Sequence, residues 1–294
     1  MKKDRISQLN DGSGPIYAAI AGVRLIEPEF EVLPGVSLRQ TYVYVFSHRT
    51  AAFKKPTSED EHHPGPWKVV DGASEIAQAS VEIVLSDRRV EFAQNAVEGL
   101  KLVAGLIRLL SASPCFITAV SERPLTRLEA TQDDMQILSI EPHPRMRAGE
   151  VRIDFNFVFL LRLLLQPASI IFQDEDVAKA FALTDGVWWL PTWTAQMLAI
   201  WTAAEILIRP EMPKGKNLAS GIRKYIGRSR TDGDRKYNQV LRLYETRGGS
   251  AHAGREPAPD DLEQSFNLVR EVFIRALHEG RRPPLINEMT TVYE

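Results

Sequence analysis

An arginine and a histidine, Arg247 and His252, stand near the carboxyl end of the chain with four residues between them. A guanidinium is always charged and can hold two phosphate oxygens through a fork of N–H donors. An imidazole can move a proton near neutral pH. The pair therefore predicts a site that handles a phosphodiester. The alternative is an arginine at a helix end and an exposed loop histidine with no shared task, because short patterns have high false-positive rates.

Basic residues are concentrated around this pair. Between positions 214 and 255 there are 11 Lys or Arg and 3 Asp or Glu, which gives 11 − 3 = +8. The remainder of the chain must then carry −2 − 8 = −10 to reach the formal net charge of −2. Such an asymmetry indicates a surface that meets a polyanion.

The composition is that of a folded, globular protein. Of the 294 residues, 44% are hydrophobic and 25% are charged, and this length fits one large domain or two ordinary ones. The single cysteine, Cys115, cannot form an internal disulfide, which favours a reducing compartment. The first residues lack the apolar core of a signal peptide, and the longest apolar run, Phe155 to Leu165, is too short to span a bilayer. We therefore expect a cytoplasmic protein with no membrane partner.

Residues 1–170 are expected to mix strands with one helix and to have a sensing or specificity role. Runs of β-branched and aromatic residues predict strands, and Pro34-Gly35 predicts a turn. Apolar residues at steps of three and four predict a helix from Arg89 to Leu110. The predicted strands are Ile16–Leu25, Val36–Phe46, Val81–Leu85, Phe116–Val120 and Met135–Ile140.

Residues 171–282 are expected to form an all-helical bundle, followed by a tail at 283–294. Thr192 and Asp260 are predicted to cap two of its helices. Gly248-Gly249 is predicted to end the helix that precedes the Asp260 helix, so His252 is expected in a glycine-rich loop. The fold class is therefore α+β, with a mixed strand and helix region before a helical bundle.

Aromatic residues also follow the bundle helices. The tryptophans could stack nucleic-acid bases, but aromatics at helical spacing are more often part of a core. Glu205 lies in the middle of this aromatic helix, where we expect it to pair with an arginine inside the bundle in a structural role. The tryptophans concerned are Trp188, Trp189, Trp193 and Trp201.

Three stretches resemble the HEPN domain, in particular its Apea-like branch. Trp201–Leu207 is similar to that family's Ala-Leu-Glu helix, and Leu243–Arg247 resembles its Leu-Tyr-x-x-Arg helix end, in which Tyr244 is a structural residue. Gly248–His252 with the preceding arginine resembles the Arg–four-to-six–His signature. The resemblance covers about residues 172–279, a little over a third of the chain.

The resemblance implies a helical bundle that usually dimerises, and many members cleave RNA without a metal or other cofactor. In those members the Arg and His of both protomers meet in one cleft. Carried over, His252 would activate the ribose 2′-hydroxyl or protonate the leaving 5′-oxygen, and Arg247 would hold the scissile phosphate. The family also implies a role in defence or stress. The residues expected to bind flanking RNA phosphates are Lys214, Lys216, Arg223, Lys224, Arg228, Arg230, Arg235, Lys236, Arg242 and Arg255.

Two departures from the family pattern leave the activity open. Active members commonly place a polar residue directly after the Arg, where this chain has Gly248, and Ala253 separates His252 from the next glycine. One alternative is therefore an inactive HEPN-like module that binds RNA or a nucleotide. Another is a regulatory protein whose bundle only dimerises.

Overall fold

The computed structural model describes residues 7, 9–46, 51–52, 58, 68–69, 76–124, 137–138, 141 and 149–289. Within them, strands prevail up to Ile153 and helices from Phe155 onward, which is the predicted α+β organisation. The strands are β1 (Ile16–Ala21), β2 (Val23–Leu25), β3 (Glu29–Leu33), β4 (Val36–Phe46), β5 (Ala51–Ala52), β6 (Lys68–Val69), β7 (Ile76–Leu85), β8 (Phe116–Ser121), β9 (Ile137–Leu138) and β10 (Val151–Ile153). The helices are α1 (Ala96–Ser111), α2 (Phe155–Ile171), α3 (Glu175–Gly186), α4 (Trp193–Ile208), α5 (Lys214–Ile226), α6 (Arg230–Ala253) and α7 (Pro259–Glu279), with a short 3₁₀ turn at Val187–Trp189.

Six strands form one sheet in the order β3-β4-β7-β1-β8-β9, and every neighbouring pair is antiparallel. The central strand β1 is buried at all its positions. Because side chains alternate between the faces of a strand, Ala18 enters the main core while Ala19 packs on the other face with Ala79 and Ala119. Strands lie at each predicted position, but the predicted strand Ile16–Leu25 is divided at Gly22 into β1 and β2, which belong to different sheets. Residues 135–136 and 139–140 of the last predicted strand lie outside the described residues.

Helix α1 covers one face of the sheet. Asn95 caps it by accepting a hydrogen bond from the Glu98 amide at 3.0 Å, and the apolar repeat that predicts the helix buries Val97, Leu100 and Ile107. The predicted start at Arg89 is wrong by seven positions, since the helix begins at Ala96. An N-terminal cap, and not the apolar spacing, fixes where it starts.

The helical part begins at Phe155, earlier than the predicted boundary at residue 171. Asp154 caps α2 by accepting from the Phe157 amide at 2.9 Å. The apolar run that follows lacks a clear period, which is why the sequence did not predict this helix. Helix α2 packs against α1 and α7 and so joins the two parts of the fold.

One buried apolar cluster runs from the sheet through the bundle. Arginines reinforce the junction by donating to backbone carbonyls of the other part. Arg270 of α7 donates to the Leu109 carbonyl at 2.5 Å, and Arg162 of α2 donates to the Val32 carbonyl at 2.7 Å. The bundle and the sheet therefore share a core.

The predicted helix caps are confirmed in one case and wrong in another. Thr192 caps α4 by accepting from the Ala195 amide at 3.1 Å. Asp260 does not cap α7, because Pro259 is already its first residue and Ala258 precedes it. Proline suits this first position since its missing N–H is not needed there.

Candidate functional site

Arg247 lies in the second-last turn of α6, where it faces α4. Its Nη2 atom is 3.5 Å from Glu205 Oε1, and its guanidinium carbon lies 5.4 Å from the centroid of the Tyr244 ring. The Arg247 side chain is 24% exposed. Its Nε is buried without a hydrogen-bond partner among the described residues. The sequence expectation that Glu205 pairs with an arginine inside the bundle is met by this contact.

Glu205 also holds two other groups. The Tyr244 hydroxyl donates to Glu205 Oε1 at 2.7 Å, and Lys214 Nζ lies 3.3 Å from Oε2. The carboxylate thus joins α4, α5 and α6 at one point. Burial, and then the hydrogen bond to Glu205, raises the pKa of Tyr244 to about 12. A phenol that donates to a carboxylate keeps its proton more strongly.

The aromatic floor of this cluster is Trp201, which is fully buried. Its ring meets that of Tyr244 edge to face, with 5.6 Å between centroids. Its Nε1 donates to Ser265 Oγ at 3.2 Å. Trp201 is therefore a core residue that supports Tyr244, as its helical spacing indicates.

His252 belongs to helix α6, which continues through Gly248 and Gly249 and ends at Ala253. The prediction that the two glycines end the helix is wrong, and so is the placement of His252 in a loop. The stop is Gly254, whose φ of +61° is the left-handed conformation that glycine adopts readily. Its amide donates to the Gly249 carbonyl.

This continuous helix separates positions 247 and 252. Five positions turn an α-helix by about 500°, so the two Cα atoms lie about 140° apart around the axis and about 7.5 Å apart along it. Side chains on a helix also lean toward its amino terminus, and the Arg247 guanidinium is held on the α4 side by Glu205. Within one protomer, the structure does not place these two positions on one face.

A solvent-open groove of about 360 Å³ runs beside the other side of α6, against the first turn of α7. Position 252 follows Glu245 by seven residues, or nearly two turns, and so lies on the same side of α6 as this groove-lining residue. The charged groove residues are two arginines and three acids, giving 2 − 3 = −1. They are Arg242, Arg255, Glu245, Glu256 and Asp261.

One basic residue predicted to bind RNA is buried. Lys236 is 4% exposed, and its ammonium contacts Glu271 Oε1 at 2.7 Å and the Ile226 carbonyl at 2.9 Å. A phosphate could reach it only by displacing these partners. The prediction of Lys236 as an RNA contact is therefore wrong.

Most of the other basic side chains are engaged by carboxylates or carbonyls, some of which lie outside the segment 214–255. Arg242 pairs with Asp261 of α7 at 2.5 Å, and Arg228 pairs with Glu271 at 3.5 Å. Arg223 pairs with Asp234, Arg235 pairs with Asp232, and Lys224 donates to the Ile286 carbonyl. Within the described part of the chain, the exposed basic side chains without a hydrogen bond or ion pair in this segment are Lys216, Arg230 and Arg255.

The pKa of Asp232 shows the effect of these ion pairs on a carboxyl group. The hydrogen bond from Arg235, together with the Arg228 amide and Lys236, lowers the pKa of Asp232 to about 2. The sequence counts Asp232 as one of three acids among eleven bases, yet it already engages several of them. The segment is therefore less available to a polyanion than its formal charge indicates.

No protein-family model, no curated protein and no solved structure matches this chain. No helix in the described part of the chain combines the length and apolar character needed to cross a membrane. Nor do the described His, Cys, Asp and Glu side chains form a group of three or more that could hold a metal ion.

Proposed function

We propose that the helical part is an HEPN-like module that cleaves RNA without a metal, and that its site is completed by a second copy of the chain. The observation that carries the proposal is the fixed Arg247 guanidinium, held by Glu205 and Tyr244 on the helix that also bears His252. Rigidly positioned charges stabilise a transition state at little reorganisation cost.

The second copy follows from two features of one protomer. Positions 247 and 252 lie about 140° apart on α6, and the groove on the side of 252 carries a formal charge of 2 − 3 = −1. Within one protomer, position 252 therefore lies away from Arg247, and Arg255, the groove arginine without an ion pair among the described residues, stands with three acids. In a two-fold dimer each surface meets its own copy, so Arg247 of one protomer can meet His252 of the other at one phosphate.

The chemistry requires only groups that RNA and these residues supply. The ribose 2′-oxygen attacks phosphorus while the P–O5′ bond breaks, which leaves a 2′,3′-cyclic phosphate and a 5′-hydroxyl. His252 takes the 2′-proton or gives a proton to the 5′-oxygen. Arg247 holds the phosphate oxygens as their charge increases. Such an activity would need control in the cell and fits a defence or stress role, which rests on the family resemblance alone.

The test is cleavage of single-stranded RNA by the purified full-length protein in EDTA. We expect His252→Ala and Arg247→Ala each to lower the rate by roughly a hundredfold or more. Lys179→Ala, which removes one exposed positive charge on α3, should retain the wild-type rate. A rate that neither site substitution changes would refute the assignment.

Mixing the two inactive variants tests the second copy. If the site is shared between protomers, a mixed dimer has one site with both native residues, and an equal mixture recovers about a quarter of the wild-type rate. If both residues act within one chain, mixing restores nothing. The second result would leave a nuclease but would eliminate the shared site.

The ion pair between Arg247 and Glu205 also favours a second function. Arg247 already neutralises Glu205, and Gly248 follows it where active family members commonly have a polar residue. We therefore also propose an RNA-binding module without catalysis as the alternative. It predicts salt-sensitive RNA binding with no 2′,3′-cyclic product after long incubation.

A further inference from the structure

A cavity of about 270 Å³ lies between the end of α1, the 3₁₀ turn, α4 and α7. Its walls are mostly apolar and include Pro114 and three aromatic rings, Trp188, Trp193 and Phe266. This volume is near the lower end, roughly 300 Å³, of pockets that bind small molecules. It suits a compact ligand.

The three rings are not equivalent. Trp188 and Phe266 pack on each other with 5.0 Å between centroids and are 7% and 5% exposed. Trp193 is 38% exposed, so its indole offers open ring surface to a ligand. One open ring beside an apolar wall is a stacking platform for a flat ligand. A quaternary ammonium ion would instead be held best by open ring faces on several sides.

Two polar side chains one helical turn apart on α7 complete the lining. Glu263 and Asn267 are exposed and line the cavity, which places them at its open side. Within the described part of the chain, neither has a hydrogen bond or an ion pair. Unpaired polar groups beside a mostly apolar cavity are what fixes the orientation of a bound ligand.

We propose that this cavity binds a purine base, with guanine preferred. The base would stack on Trp193 and direct its Watson–Crick edge to Glu263. Guanine presents two adjacent donors on that edge, N1–H and the N2 amino group, and a carboxylate accepts both through its two oxygens. Adenine presents an acceptor, N1, next to its amino group and would leave one carboxylate oxygen facing a lone pair.

The proposal deepens the proposed function, on which it rests for RNA as the source of the base. The first turn of α7 connects the cavity to the groove beside Arg255, because Pro259 lines the cavity while Pro257 and Asp261 line the groove. A strand that passes around this helix end could place a base on one side and a phosphate on the other. A free guanine nucleotide would use the cavity in the same way.

The experiment is isothermal titration calorimetry of the full-length protein with guanosine, inosine and adenosine. Guanosine should bind most tightly. Inosine, which lacks the amino donor, should bind roughly tenfold more weakly, since a hydrogen bond to a charged group is lost. Trp193→Ala should weaken guanosine binding about tenfold or more. Glu263→Gln should abolish the preference over adenosine, whereas Glu175→Gln, an exposed acid on α3, should preserve it.

Equal affinity for guanosine and adenosine would overturn the proposal, as would an unchanged affinity in Trp193→Ala or displacement of guanosine by choline. Two further ligands separate the sources. Tighter binding of a short RNA with one guanine than of 5′-GMP assigns the cavity to RNA, and the reverse assigns it to a free nucleotide. Guanosine binding by a His252→Ala protein that no longer cleaves RNA would keep this site distinct from catalysis.

Discussion

Glu205 contacts three charged or polar side chains. It pairs with Arg247 at 3.5 Å and Lys214 at 3.3 Å and accepts from Tyr244 at 2.7 Å. The carboxylate is 17% exposed, so these partners replace water that it has largely lost. A partly buried charge retained in this way is stable only while its partners remain. Removing one partner therefore tests how firmly Arg247 is held.

Tyr244→Phe removes the hydrogen bond to Glu205 and leaves the ring on Trp201. We expect the free energy of unfolding to fall by about 1.5–3 kcal/mol, because the bond is made to a charged group. The pKa of Tyr244 is raised to about 12 by burial and this bond. The contribution is therefore full below pH 10, near the ordinary tyrosine pKa, and is lost as the pH rises through about 12. Urea unfolding measures the first effect, and the change in phenolate absorbance on alkaline titration measures the second.

Tyr237→Phe is the matched control for that prediction. Tyr237 is on the same helix and partly buried, and no hydrogen bond of its hydroxyl is found among the described residues. Its substitution should change stability little and leave the phenol that titrates near pH 12 in place. Equal effects of the two substitutions would contradict the special role of Tyr244.

Cys115 should be unreactive in the folded protein. It is fully buried, and burial raises the pKa of its thiol to about 12. The reactive thiolate is then scarce at pH 8, so a disulfide reagent such as DTNB should react slowly with the native protein and release one equivalent in urea. Rapid modification of the native protein at pH 8 would contradict the burial of the Cys115 side chain.

At the scale of single elements, helix α6 shows where sequence patterns stop being sufficient. Gly248-Gly249 has the composition of a helix end, but neither residue has a positive φ. The left-handed stop falls on Gly254 instead, and all three glycines look alike in the sequence. Strand runs and the Thr192 cap are local signals, which is why they are predictable. The pairing of Arg242 with Asp261 is not predictable from a local signal, since it joins residues from two helices.

Gly248→Ala should stabilise the protein. A Cβ atom at this position meets nothing within 4 Å, and alanine loses less backbone entropy than glycine in a helix, so we expect a gain of about 0.5–1 kcal/mol. Gly254→Ala should do the opposite because its φ is +61°. Thermal unfolding of both variants measures the difference.

The same substitution tests how Arg247 and His252 meet. Stabilisation of α6 should leave RNA cleavage unchanged if the two positions act from separate protomers on an intact helix. It lowers cleavage if the helix must unwind at Gly248 to bring them together in one chain. Loss of activity in a stabilised Gly248→Ala protein would therefore contradict the shared site.

At the scale of the whole molecule, the sheet and the bundle are joined by a buried charge. Arg108 of α1 is 1% exposed and donates to Asp185 of α3 at 2.6 and 2.8 Å. It also contacts Glu141 at 3.2 Å in a paired arrangement. The apolar repeat that predicts α1 does not indicate that its Arg108 reaches Asp185 of α3. This long-range ion pair is therefore one of the contacts that join the two parts at their shared core.

Arg108→Ala should lower the free energy of unfolding by about 3–5 kcal/mol, since it leaves the largely buried Glu141 and the partly buried Asp185 without this arginine. Burial already raises the pKa of Glu141 above its ordinary value even with Arg108 present. Without the arginine, that pKa rises further. The folded variant should therefore regain stability toward acid, where Glu141 is protonated, and lose it as the pH rises through the raised pKa. Urea unfolding at pH 5 and pH 8 measures this difference.

Arg242→Ala is the comparison that separates a buried pair from an exposed one. Arg242 is 51% exposed and pairs with Asp261 across two helices, so its loss should cost only about 0–1 kcal/mol with little dependence on pH. The sheet and the bundle should still unfold in one transition when followed by circular dichroism and by tryptophan fluorescence. If Arg108→Ala instead separated the two signals into two transitions, the arginine would be the tie that makes one cooperative unit of the sheet and the bundle. If Arg108→Ala had no larger effect than Arg242→Ala, the cluster of Arg108, Asp185 and Glu141 would not be what joins the sheet to the bundle.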